Sequence, residues 1–509
     1  MRQRHRINLN QVFLYLIVSL FWVVGASGSG EAQTLAQNAP ASPGNGSSRK
    51  LRYHEIADQI TALGREKAQL SAKRMRTPQE EQRLAQLDAD LEIATTEFHR
   101  MLEELEGALS SPASAKGSEW KISQIRETQG LMEDLRELGA GTVAVYTIVM
   151  ADRYAVIVVT PDAQVARETL IPMATLNQKI FQFRDALRNP SRDPRPLAQE
   201  LYQILIAPIA TDLAGAQAQT LMWSLDGALR YLPIAALHDG KQYLVERYRN
   251  VIFTPVSTVR LKDKPQHPQR MLGVGVAKAQ GEYVAMPGVA AELHALIKED
   301  GKSNDAGLFP GTVLLDEAFT AQALQQALQQ RYSLVHIASP FRMGASITDS
   351  FLRLGDGASL TSEQAKTALD FTGVDLVTFS SCPMNDEKQL DSGREIEGQS
   401  VLLQRKGAKA VLLPLWQVDD KSTKEFMLTF YRLWQTKNLS KAEALQQAQL
   451  QLLRGEIQGT NGQSHRGATA IAPSNEGSET GNEDFSATPK ARYAHPYYWA
   501  PFILIGNWQ

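Results

Sequence analysis

The sequence predicts an α/β protein, with a mostly parallel sheet flanked by helices and an α-helical hairpin in front of it. After Ser111, short β-branched and apolar runs alternate with helical stretches, the order that builds a parallel sheet covered on both faces. Between about Leu51 and Leu109 the composition turns instead to Glu, Gln, Arg, Ala and Leu, with apolar residues at three- and four-residue steps. At 509 residues, 43% of them apolar and 21% charged, the chain can bury a sizeable core.

Taken in order, residues 1–26 read as a signal peptide or an N-terminal anchor. Arg2, Arg4 and Arg6 precede an apolar stretch from Val12 to Val24, and Gly25, Ala26, Ser27 and Gly28 follow. That stretch is short of the roughly 18 residues a spanning helix needs, which favours cleavage over anchoring. No Cys follows it to carry a lipid. Either reading places the body outside the cytoplasm, secreted or periplasmic, with the membrane involved only through such an anchor. Residues 27–50 are small, polar and turn-rich, a flexible linker.

Residues 51–112 are predicted as the hairpin. Its first helix runs from about Arg52 to Arg74, and its second starts at Thr77, where Pro78 and Glu80 complete a capping box. Leu84, Leu87, Leu91, Phe98, Met101, Leu102 and Leu105 form the apolar stripe of that second helix. A dimerising coiled coil would make the chain an oligomer. The pattern is short for many heptads, which favours a hairpin folded on its own chain.

Beyond it, Val143–Met150 and Tyr154–Val159 read as a β-hairpin around Asp152 and Arg153, followed by a helix from about Pro196 to Ile206. Strand-like runs follow at Thr220–Ser224, Met271–Val276, Ser333–Ala338, Val374–Phe379 and Ala410–Leu415, with helices at Gly288–Ile297 and Thr320–Gln329 between them. From 455 to 490 the chain is rich in Gly, Ser, Thr, Asn and Glu, and reads as a disordered surface insertion.

Composition excludes several functions. A formal net charge of -2 supplies no basic excess for nucleic acid or an anionic membrane surface. None of the nine histidines stands at ligand spacing from another His, a Cys or a carboxylate, and one cysteine cannot build a zinc cage. No metal and no other cofactor is expected. A lone cysteine outside the cytoplasm is a free thiol.

Seven segments then occur in order: Asp226-Gly-Ala-Leu-Arg-Tyr-Leu-Pro-Ile-Ala-Ala-Leu237, Val335-His-Ile-Ala-Ser339, Asp349-Ser-Phe-Leu-Arg-Leu-Gly-Asp-Gly357, Val374-Asp-Leu-Val-Thr-Phe-Ser-Ser-Cys382, Gly393-Arg-Glu-Ile-Glu-Gly398, Gly407 through Asp420, and His495 through Trp508. Together they resemble the CHAT domain family, a branch of the caspase-like cysteine peptidase clan, over roughly residues 120–509. The resemblance implies a caspase-like sheet bearing a cysteine and a histidine at the carboxyl ends of two neighbouring parallel strands, the edge where open α/β sheets place their sites.

On that pattern Cys382 holds the nucleophile position, against the alternative of a small buried hydrophobe. The position of the histidine is taken by Pro340, which has no base, so the resemblance implies a degenerate dyad. His336 matches a second, in-strand histidine and reads as a satisfied core residue; at strand rise it is roughly 13 Å from Pro340. Pro383 lacks the N–H that an oxyanion site would use. A thiol of pKa near 8.5 is only a few per cent ionised at pH 7, and a positioned base contributes about 10²- to 10⁴-fold.

Asp419 and Asp420 read as a helix cap, or, by the clan resemblance, as part of a pocket for a basic side chain. Arg394 and Glu395 either line that cleft or start a helix. Three functions stand open: a secreted or membrane-tethered pseudopeptidase that binds a peptide or protein partner, an active caspase- or separase-like cysteine endopeptidase using Cys382, and a structural assembly module.

Overall fold

The computed structural model describes residues 128–509 except 266–268, 282, 300–306, 343–349, 382–393, 418, 438, 458–484 and 486–490, with scattered residues between 59 and 94. The predicted signal segment, the linker, Cys382, most of the insertion and part of the hairpin lie outside the described residues. Among the described residues no helix is long and apolar enough to cross a membrane.

The capping box is formed. Thr77 Oγ1 accepts the Glu80 N–H at 3.2 Å and Glu80 Oε2 accepts the Thr77 N–H at 2.9 Å, so two orphan donors are satisfied where residues 78–87 turn helical. Arg83 grips Glu66 with two hydrogen bonds of 2.8 and 2.7 Å.

The chain divides into two units. The smaller holds α1 (Thr128–Glu137) and most of β1 (Thr142–Val149), β2 (Arg153–Val159) and β3 (Gln164–Leu170), neighbours in the order β3-β2-β1. The Val- and Ile-rich β2 is buried along its whole length, as a continuous apolar run requires. Thr160 closes the turn into β3, its N–H donating to Ala163 O at 2.8 Å and its hydroxyl oxygen accepting the Ala163 N–H at 2.9 Å.

The larger unit contains α2 (Met173–Leu187), α3 (Arg195–Leu205), β4 (Thr220–Ser224), β5 (Arg249–Ile252), β6 (Met271–Gly275), α4 (Gly288–Leu296), β7 (Ile297–Glu299) and β8 (Phe309–Leu315). It continues through α5 (Ala321–Leu328), β9 (Leu334–Ala338), β10 (Phe341–Arg342), β11 (Phe351–Arg353), β12 (Ser359–Thr361), α6 (Ser362–Ala368) and β13 (Leu376–Phe379). It closes with α7 (Arg394–Arg405), β14 (Ala410–Pro414), α8 (Asp420–Lys437), α9 (Lys441–Leu453) and β15 (Phe502–Gly506).

Nine strands run in the order β4-β5-β15-β14-β13-β9-β6-β8-β7, and every neighbouring pair is parallel except β14 with β15. Two parallel blocks therefore meet back to back. The carboxyl ends of β14, β13, β9 and β6 come out on the same edge as the amino ends of β15, β5 and β4. β14, β13, β9 and β6 are fully buried, as strands covered on both faces must be. β10, β11 and β12 form a separate antiparallel sheet directly after β9.

Helix α4 lies close against the sheet because β6 offers it glycines. A Cβ on Gly273 would stand 2.4 Å from Ile297 Cδ1 and 2.9 Å from Leu293 Cδ2, and one on Gly275 would meet Val289 Cγ1 at 2.7 Å. Gly273→Ala must push that packing apart, and an expected loss of about 1–3 kcal/mol should be read by urea denaturation. The helical Gly398, exposed and with nothing within 4 Å of an added Cβ, supplies the opposite case: Gly398→Ala should stabilise by about 0.5–1 kcal/mol.

Candidate functional site

The parallel register levels the ends of β9 and β13: Leu376 faces Leu334, Thr378 faces His336, and Phe379 faces Ile337. Ser380 N–H continues the ladder to Ile337 O at 3.0 Å. Both strands end in serines, Ser339 on one side and Ser380 with Ser381 on the other, all buried. Cys382 is the next residue in sequence and lies outside the described ones.

Pro340 is buried at the end of β9. Its carbonyl accepts the Arg353 N–H at 2.9 Å, and Ser339 Oγ donates to Arg353 O at 2.6 Å, so β11 is stitched to the residues following β9. Phe341 packs its ring 4.7 Å from that of Phe379. Pro340 is thus buried with its carbonyl engaged, and its side chain offers no proton acceptor.

His336 is wholly buried, with Nε2 2.7 Å from Glu292 Oε1 and 3.2 Å from Ser380 Oγ, while Nδ1 lies 3.2 Å from Tyr431 Oη. Tyr431 Oη in turn donates to Thr378 Oγ1 at 2.7 Å. Helices α4 and α8 are pinned to β9 and β13 through this one imidazole. Serine, histidine and glutamate in contact suggest a hydrolytic relay, but the chemistry does not follow. A relay needs the acid and the hydroxyl on opposite ring nitrogens. Here both converge on Nε2, so the ring does not stand between them to pass a proton from one to the other.

Of the other described histidines, His495 and His238 are held by hydrogen bonds. His495 Nδ1 accepts the Tyr497 N–H at 3.0 Å and its Nε2 lies 2.8 Å from Arg192 O. His238 Nδ1 accepts the Gly240 N–H at 3.0 Å, and His294, half exposed, stands 3.7 Å from Glu299 Oε2.

Asp419 and Asp420 follow β14 at the same edge. Asp419 Oδ2 accepts the Ser422 N–H at 3.2 Å and its carbonyl accepts from the Ser422 hydroxyl at 2.9 Å, so Asp419 caps α8. Asp420 opens the first turn of that helix and is exposed. Arg394 and Glu395 form the start of α7; their side chains are not among the described ones. Beside them the edge is tied across the block boundary, with Leu415 N–H donating to Pro501 O at 3.0 Å and Trp416 Nε1 to Tyr497 O at 3.2 Å. Sequence reasoning missed Glu292, Ser380 and Tyr431. A lone acid in Val-Ala-Ala-Glu-Leu-His-Ala-Leu was the available signal for the first. Among the described residues no group of three His, Cys, Asp or Glu side chains is placed to hold a metal.

A family model for the CHAT domain matches residues 195–507. The chain belongs to the CHAT family. No curated protein matches it. Among solved structures it is similar to the separase–securin complex of Saccharomyces cerevisiae, at 8% identity over 91% of this chain and 37% of the matched chain, with a TM-score of 0.43. A second structure of that complex matches at 9% identity with the same coverage and TM-score. Gingipain R, an Arg-specific cysteine proteinase, matches at 10% identity over 62% of this chain and 66% of that one, with a TM-score of 0.33. The chain spans just over a third of the length of the separase-complex chain it matches. The helix-flanked, mostly parallel sheet is the caspase-like architecture expected of a CHAT domain.

The buried pair in the CHAT core makes a double-mutant test. Glu292→Leu or His336→Leu alone strands a polar partner and should cost about 3–5 kcal/mol, whereas the double variant should cost clearly less than the sum, measured by chemical denaturation. Acid sensitivity is a second outcome. Burial, above all other influences, holds the imidazoles of His495 and His238 below their ordinary value near 6.5. The unfolded chain then takes up protons first, so this contribution is complete above about pH 6.5 and is lost as pH falls below it. Urea midpoints between pH 7 and 5 should decline, with a shallower slope in His495→Gln.

Proposed function

We propose that this CHAT-domain protein is a pseudopeptidase that works outside the cytoplasm and holds a peptide or protein partner at the edge formed by the ends of β9, β13 and β14. The observation that carries this reading is Pro340: in the family pattern its position belongs to the dyad histidine, and in this chain it is buried with its carbonyl bonded to the Arg353 N–H of β11. Support also comes from the buried imidazoles of His238, His336 and His495, each of which is engaged in hydrogen bonds elsewhere. A thiol without a base would be a few per cent thiolate at neutral pH, and the leaving amine would lack its proton donor. The arginine-rich start and apolar stretch of residues 2–24 support export, as a secreted or periplasmic protein or one held by that segment.

Retention of Cys382 directly after Ser381 favours the second reading, an active cysteine endopeptidase. Peptide libraries incubated with the full chain and with Cys382→Ala separate the two. Equal, background turnover is expected; hydrolysis that vanishes with the thiol would overturn the pseudopeptidase assignment. Pro340→His should raise Cys382-dependent turnover by about 10²- to 10⁴-fold if the missing base is the cause of inactivity.

A further inference from the structure

The small sheet of β10, β11 and β12, which begins directly after Pro340, has two unlike faces. Phe341, Leu352 and Leu360 stand opposite one another and are buried, so they form its inner face. Side chains alternate along a strand and match across a pair. Arg342, Phe351 and Thr361 therefore make one row of the outer face, and Arg353 with Ser359 makes the next. All five are partly exposed. The contact of Arg353 Nη1 with Ser359 Oγ at 3.1 Å agrees with that placement.

The outer face carries two guanidinium groups and no acid, in a chain whose formal net charge is -2. Among the described residues neither arginine is ion-paired. Arg353 lies 5.1 Å from the centre of the Tyr283 ring, and its Nε is buried without a hydrogen-bond partner. A ring and a hydroxyl thus hold the planar fork in place without neutralising it, which prepares it for a carboxylate. Its main chain is fixed as well, through Pro340 O and Ser339 Oγ. Arg342 and Arg353 are diagonal neighbours across the β10 and β11 pair, which sets them about 7 Å apart at their bases. Alternate residues of an extended peptide are separated by about 6.6 Å, so charge and spacing point to one ligand.

We propose that the outer face of this sheet binds an acidic, extended segment of a peptide partner, with carboxylates at alternate positions, one on Arg342 and the next on Arg353. Phe351, opposite Arg342, gives the same face an apolar contact. The inference rests on the reading that a peptide or protein partner is held at the edge where β9 ends, and it names the chemistry of that partner.

Fluorescence anisotropy of the full chain with labelled synthetic peptides provides the test. One peptide carries glutamates at alternate positions in an alanine and threonine background, a second has glutamine in their place, and a third has the same glutamates in a contiguous run. The alternating acidic peptide should bind about tenfold more tightly than either of the others, and added salt should weaken it. Arg342→Gln should weaken that binding about tenfold, and Arg342→Glu should shift preference to a peptide with lysine replacing one glutamate. Arg353→Gln should act like Arg342→Gln; if it fails to fold, the Arg342 variants, which lose no partner, still decide the matter. Unchanged affinity in both Arg342 variants, or equal binding of the glutamine peptide or of polyphosphate, overturns the proposal. Library peptides that bind without responding to either arginine would overturn it while leaving the partner-binding reading intact, and binding by no peptide would overturn both.

Discussion

The antiparallel ladder between β14 and β15 is the constraint on which the site depends. Parallel strands need crossovers that return the chain to the same edge, so a purely parallel sheet collects its carboxyl ends together and its amino ends elsewhere. One reversal changes this. Five backbone pairings from Ala410 with Gly506 to Pro414 with Phe502 lock the two blocks in opposite senses. The segment entering β15 thereby arrives beside the end of β14, where Tyr497 O receives Trp416 Nε1. The edge is lined from both sides without any long loop having to reach it.

Beneath that edge a connected polar set is built around the buried His336. Burying an imidazole, a carboxylate and three hydroxyls is costly unless each finds a partner, and here Glu292, Ser380, Tyr431 and Thr378 form one connected set. Such a set fixes geometry in a way that interchangeable aliphatic contacts do not. The layer below the ends of β9 and β13 is thus specified by directed polar contacts, while Pro340 fills the position that follows Ser339.

Much of the sheet was legible because its central strands carry unbroken apolar runs. β4 coincides with the run read at Thr220–Ser224, and β6, β9 and β14 differ from their predicted spans by a residue at one end. β13 starts two residues later than the apolar pattern; just before it, Asp375 pairs its side chain with Lys409 at 2.7 Å. β3 and β8 escaped notice for opposite reasons: Gln164–Leu170 is half-buried and polar, and Phe309–Leu315 contains Pro310 and Gly311, ordinarily signals of a turn. Asp419 as a cap could be read locally from the helix it precedes. The pairing of Glu292 with His336 could not, since 44 residues separate them and only the crossover through β8 and α5 brings them together.

Gly273 and Gly275 carry a consequence beyond packing. Gly273 is the register neighbour of His336, so the bare strip on β6 lies alongside the imidazole. By lowering the helix onto the sheet, it sets the span a glutamate side chain has to cross; methyl groups there would lengthen that gap and leave the acid hanging short of its ring. The hydrogen atoms that stand in for a Cβ at these two alternate positions of the strand therefore act as a spacer gauge, and the polar centre of the domain is calibrated by what the strand omits.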